Sequence, residues 1–107
     1  MAKRKKSNNT QKAKMTAHEF VANIIDDKEF RRQVLVYCYG FEPERGNPDA
    51  IPKWLNAGAR LMGHKFFEKD IIEEFNTQMS SAGIIKRTRV MGTLMGAASA
   101  AKKVHDS

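Results

Sequence analysis

Large apolar residues are missing between Met1 and Met15, then return in groups spaced as on the faces of α-helices. The sharpest boundary falls at Thr16. Thr16 and Glu19 form a Thr-x-x-Glu capping box, and Met15 and Phe20 stand where a hydrophobic staple would close around it. Phe20, Val21, Ile24 and Ile25 then predict a first buried face. Asp26 and Glu29, flanked by Ile25 and Phe30, repeat the device, so a short first helix is expected to bend into a second. That second helix carries Phe30, Val34, Tyr37, Cys38 and Phe41 on one face, with Gly40 at its C-terminal cap.

Pro43, Gly46 and Pro48 make residues 42–49 a loop. A third helix follows from Asp49 or Ile51, because Pro52 fits only in a first turn; Ile51, Trp54, Leu55, Ala59 and Met62 supply its face, and Gly63 ends or bends it. Phe67, Ile71, Phe75 and Met79 recur at steps of four, with Glu68, Lys69, Asp70, Glu73 and Glu74 around them, which predicts an amphipathic fourth helix with an acidic outer side. Residues 80–83 interrupt the pattern. Residues 84–104 then form a last helix rich in small residues, where Gly92, Gly96 and Ala100 fall four apart beside Met91, Leu94, Met95 and Ala98. Such a ridge lets another backbone approach closely, and each glycine weakens the helix by about 1 kcal/mol against alanine, so packing must hold it.

The fold expected is all-α: a small bundle of four to five helices over residues 16–107, behind a disordered basic tail of residues 1–15. Its expected core is Phe20, Ile24, Phe30, Val34, Tyr37, Trp54, Leu55, Phe67, Ile71, Phe75 and Met79. Residues 1–14 hold too little apolar surface to offset the entropy of ordering.

Charge placement adds a functional direction. The 107 residues carry a formal net charge of +7. Residues 1–14 contain Lys3, Arg4, Lys5, Lys6, Lys12 and Lys14 and no acid, whereas residues 15–83 hold eleven Asp or Glu against eight Lys or Arg. Beyond them, Lys86, Arg87, Arg89, Lys102 and Lys103 face only Asp106. Basic ends on a mildly acidic middle point to a polyanion, nucleic acid first. The run from Lys3 to Lys6 also suits a nuclear import signal, an acidic protein partner or plain solubility.

Little else carries chemistry. The single cysteine, Cys38, allows no disulfide within the chain and no cysteine-based zinc site, and its neighbours suggest a packed thiol. His18, His64 and His105 share no metal-binding spacing, and His18 is expected exposed in a first turn. No phosphate-binding glycine loop occurs, and Glu73 and Glu74 are adjacent rather than one helical turn apart. A helix-turn-helix frame with Gly83 in the turn fails because Met79 stands where a small residue is wanted and Arg89 where a buried one is. The charged N-terminus lacks the apolar stretch of a secretory signal, and residues 90–101 fall short of the ~18 apolar residues of a membrane span.

These readings predict a non-enzymatic protein with no cofactor and no metal, located in the cytoplasm, the nucleus or a particle, and not secreted. It would contact nucleic acid through backbone charge at Lys3, Arg4, Lys5, Lys6, Lys12, Lys14, Lys86, Arg87 and Arg89, with little base reading. A structural or adaptor subunit docking a protein partner or another copy through Gly92, Gly96 and Ala100 is the alternative. A third reading lays the last helix on an anionic membrane through Val90, Met91, Leu94 and Met95.

Overall fold

The computed structural model describes residues 15–106. The expected tail and its six cations therefore lie outside the described residues, except that Met15, assigned to the tail, packs against the core. Among the described residues the structure is all-helical: α1 (Ala17–Asp26), α2 (Lys28–Cys38), α3 (Ala50–Leu61), α4 (Glu68–Ser81) and α5 (Ile84–Asp106).

Each helix start has a local cause. Thr16 accepts from the Glu19 amide at 3.1 Å while the Glu19 carboxylate accepts from the Thr16 amide at 2.9 Å, so both halves of the expected box are made. The second cap is displaced by one residue. Asp27, not Asp26, accepts from the Glu29 and Phe30 amides, and its extended backbone both closes α1 and opens α2. The proposed Ile25–Phe30 staple moves out of frame with it. Asp49 precedes α3, which places Pro52 in the first turn, and Gly63, at φ 98°, ends that helix in a conformation that resists a β-carbon.

α4 packs against α1 and α3, α2 against α1 and α3, and α5 lies across α1 and α2. Phe20, Ile24, Val34, Trp54, Leu55, Ile71, Phe75 and Met79 are buried as expected, and Phe30 sits half-buried with its ring edge-on to Phe20.

Two core assignments are corrected. Tyr37 is 43% exposed, because Val34, Leu35 and Cys38 take the inward face of α2. Phe67 is 74% exposed, because it stands at the extended N-cap of α4 rather than on the helix. The adjacent Phe66 turns inward instead and stacks on His64, with centroids 5.3 Å apart and rings 11° from parallel.

α2 and α3 approach each other closely at Gly58. Trp54 donates its indole N–H to the carbonyls of Cys38 (2.9 Å) and Phe41 (3.0 Å), which satisfies the end of α2. Gly58 lies over Cys38, where a β-carbon would come within 2.5 Å of Sγ and 3.3 Å of the Val34 carbonyl. Buried there, the Cys38 thiol has its pKa pushed up to about 12 by desolvation, as a packed and unreactive group should.

Candidate interaction surfaces

The basic residues of α5 are differently employed. Lys86 Nζ meets Asp26 Oδ1 at 2.8 Å, an exposed pair made possible because the α2 cap falls on Asp27 and leaves Asp26 unused. Arg87 donates to the Met79 carbonyl at 3.3 Å and so caps the C-terminal end of α4. Arg89 is exposed, and its carbonyl accepts from the Thr93 hydroxyl at 3.1 Å. Of the three α5 cations among the nine expected to meet phosphate, Lys86 and Arg87 already have partners within the fold.

Arg31 is an unforeseen buried charge. Its Nη1 donates to the carbonyls of Ile24 (2.7 Å) and Ile25 (3.2 Å), fastening α2 to the end of α1, while Nε has no hydrogen-bond partner. Burial first, then the nearby charge of Arg89, pull its pKa below the ordinary value, and Asp27 works in the opposite sense. The Arg31 guanidinium thus sits at the end of α1 between the opposing influences of Arg89 and Asp27.

The small residues of α5 do not pack as a buried ridge. The stripe turned to the core is Val90, Leu94, Ala97 and Ala101, a 4-3-4 spacing that keeps to one side of the helix. Gly92 and Gly96 are exposed, a β-carbon on either would meet nothing within 4 Å, and Ala100 is half-buried. With Val90 and Leu94 consumed by the core, the stretch proposed to enter a membrane keeps only Met91, half-buried, and Met95, 53% exposed. No helix among the described residues is long and apolar enough to cross a membrane.

Gly92 and Gly96 instead form one side of a shallow groove of about 470 Å³. The opposite wall comes from α2, through Arg32, Leu35, Val36 and Tyr39. Val36 is 66% exposed and Tyr39 is also exposed, so the wall is apolar and aromatic, and no carboxylate lines the groove. A second depression of about 300 Å³ lies on the other flank of α5 under residues 42–48. Its acids are engaged locally, Glu42 with Arg45 at 3.9 Å and Glu44 with Asn47 at 3.1 Å.

His18 is exposed in the first turn of α1, as expected, and its Nδ1 lies 2.9 Å from Glu74 Oε1. Hydrogen bonds from Gln78 first, and from His18, hold the Glu74 carboxyl below its ordinary pKa. His64, by contrast, is buried against Phe20 and Phe66, with Nδ1 unpartnered, and desolvation lowers its pKa. Among the described residues no group of three His, Cys, Asp or Glu is placed to hold a metal ion. Compared with known proteins, the chain matches no family model, no curated protein and no solved structure.

Proposed function

We propose that the chain is a non-enzymatic accessory or assembly protein that holds nucleic acid, or another polyanion, through backbone charge and largely without regard to sequence. The observation that carries this reading is a separation of charge. Lys3, Arg4, Lys5, Lys6, Lys12 and Lys14 stand together with no acid among them, ahead of a helical body closed off by its own capping box at Thr16 and Glu19. Of the three α5 cations Arg89 is the best suited to join them, since Lys86 and Arg87 would first have to release Asp26 and the Met79 carbonyl.

Each cation that engages a phosphate displaces condensed counterions, so log affinity should fall with log salt by about 0.9 per contact on duplex and about 0.7 on single strands. The test is a salt titration of the full chain, and of the chain lacking residues 1–14, on two unrelated sequences. Equal affinity for both, with a slope shallower by about two to four on truncation and unchanged melting, is the expected result. No binding even in low salt removes the reading.

The open α2–α5 groove favours a second reading, a structural or adaptor subunit that docks a protein partner or another copy through the face bearing Gly92, Gly96 and Ala100. A β-carbon on Gly92 or Gly96 meets nothing of its own chain within 4 Å, so leucine at either position is expected to project into the groove with little loss of melting temperature. Whatever co-purifies from the native source should then be lost; undiminished co-purification in both variants removes the groove from the account.

A further inference from the structure

The connection between α3 and α4 is held down by rings rather than by its backbone. Gly63, at φ 98°, turns the chain out of α3, and Phe67 enters α4 in an extended conformation. Between them the His64 amide donates to the Ala59 carbonyl at 3.0 Å, whereas the amides of Lys65, Phe66 and Phe67 donate to no backbone carbonyl among the described residues. Two side chains do the anchoring. His64, only 5% exposed, lies edge-on to Phe20 with centroids 5.5 Å apart, and Phe66 stands 5.3 Å from both His64 and Phe20. Nδ1 of the buried imidazole has no hydrogen-bond partner.

We propose that residues 63–67 are an acid-released latch: a proton taken up by His64 lifts the His64 and Phe66 rings from Phe20 and turns Phe66 out beside the exposed Phe67. An imidazolium carries a proton on both nitrogens, and Nδ1 is closed in beside two phenyl rings with no acceptor among the described residues. The stacked face of Phe66 attracts a cation, which opposes release. Burial outweighs it, because the His64 pKa in the closed fold lies below the ordinary 6.5 and burial is the cause. No charged neighbour adds to the effect. On α1, Glu19 is bonded to the Thr16 amide and His18 to Glu74. Lys53 and Arg60 of α3, Lys65 of the connection, and Glu68, Lys69 and Asp70 of α4 make no contribution to the shift. The closed connection is therefore favoured in full above about pH 6.5, and protonation as pH falls favours the open one. Opening breaks one backbone hydrogen bond, that of the His64 amide, and Gly63 absorbs the change of direction without a β-carbon in the way. Leu61, Phe66 and Phe67 then all face solvent around one short connection, so acid completes an apolar patch that the neutral form half covers.

NMR of the full chain from about pH 8 to about pH 5 tests the latch, with the histidine rings, the Phe20–Phe66 contact and the Trp54 indole N–H as readouts. In wild type the His64 ring should titrate below 6.5 and the Phe20–Phe66 contact should be lost with it, while the Trp54 indole, bonded to the Cys38 and Phe41 carbonyls, stays unmoved. His64→Phe keeps an aromatic ring against Phe66 without a titrating group, so its Phe20–Phe66 contact should persist over the whole range. Phe66→Ala uncovers one face of His64, whose titration should then rise toward 6.5. A wild-type His64 that titrates at 6.5, or a Phe20–Phe66 contact that survives its protonation, overturns the proposal. Equal loss of that contact in His64→Phe does so as well, since another group would be responsible. Loss of the Trp54 signal in step with His64 overturns it too, because the whole fold would be responding rather than the latch. So does a His64 titration that Phe66→Ala leaves in place, since Phe66 would then be no part of the device.

Discussion

The α2–α3 crossing and the α5 seam both contain helix-interior glycine, yet they are built in opposite ways. At the crossing, Gly58 faces Cys38 and the Val34 carbonyl so closely that a β-carbon fits only if its neighbours shift, and Trp54 ties the two helices through the carbonyls at the end of α2. Along α5, Gly92 and Gly96 face open space, and Val90, Leu94, Ala97 and Ala101 do the packing from elsewhere on the helix. A glycine in a helix therefore signals close approach only where a second backbone stands opposite it. Spacing alone cannot supply that condition.

The largest effect should come at the crossing. Gly58→Ala overpacks it and should cost about 1–3 kcal/mol, and Gly58→Leu should leave no cooperative thermal transition. Cys38→Ala removes the nearer obstacle, so Gly58→Ala should cost less in that background; equal cost in both backgrounds would mean that the Val34 carbonyl, not Sγ, sets the limit.

Acid should act next. His64 lies buried against Phe20, and its pKa in the fold is below the ordinary 6.5, so the unfolded chain binds the proton more readily. Its contribution is complete above about pH 6.5 and declines as pH falls from there toward the folded value. Melting temperatures of wild type and His64→Phe should run parallel above that range and diverge below it, wild type falling faster. Parallel curves throughout would show that the ring is not held neutral.

The smallest effect, with the opposite sign, belongs to α5. Gly92→Ala and Gly96→Ala relieve backbone entropy without a clash and should each stabilise by about 0.5–1 kcal/mol, raising the melting temperature. A loss of stability in either would mean that some part of the chain approaches that face after all.

What the sequence reveals follows the range of the interaction. The Thr16–Glu19 box is legible because all its partners lie within four residues. Asp26 and Asp27 both offer a carboxylate near the start of α2, and only the folded backbone chooses between them. The step-of-four pattern from Phe67 to Met79 misleads at its first member because α4 starts at Glu68, beyond which helical periodicity does not extend. On α5 the buried stripe is half alanine, so it is quieter in the sequence than the two glycines beside it. The candidate surfaces are least legible of all: Lys86 finds Asp26 sixty residues away, and the groove joins α2 to α5 across the whole intervening chain. Burial of Arg31 has no sequence signal either, since its partners are backbone carbonyls of another helix.

α5 is 23 residues long, about 34 Å at 1.5 Å per residue, but only a line of four of its side chains is buried, two of them alanine, with Met91 and Ala98 half-buried beside it and polar ties from Lys86 and Arg87 at its first turn. Lifting it away sacrifices little apolar burial, so its opening free energy should sit well below that of the whole molecule. Its amide hydrogens should exchange with solvent before those of α2 and α3, and limited trypsin should cut at Arg89 while the other four helices remain protected. The chain then carries its own peel point, and anything bound across the α2–α5 groove would seal it, showing up as slowed exchange along α5 long before it altered the melting of the rest.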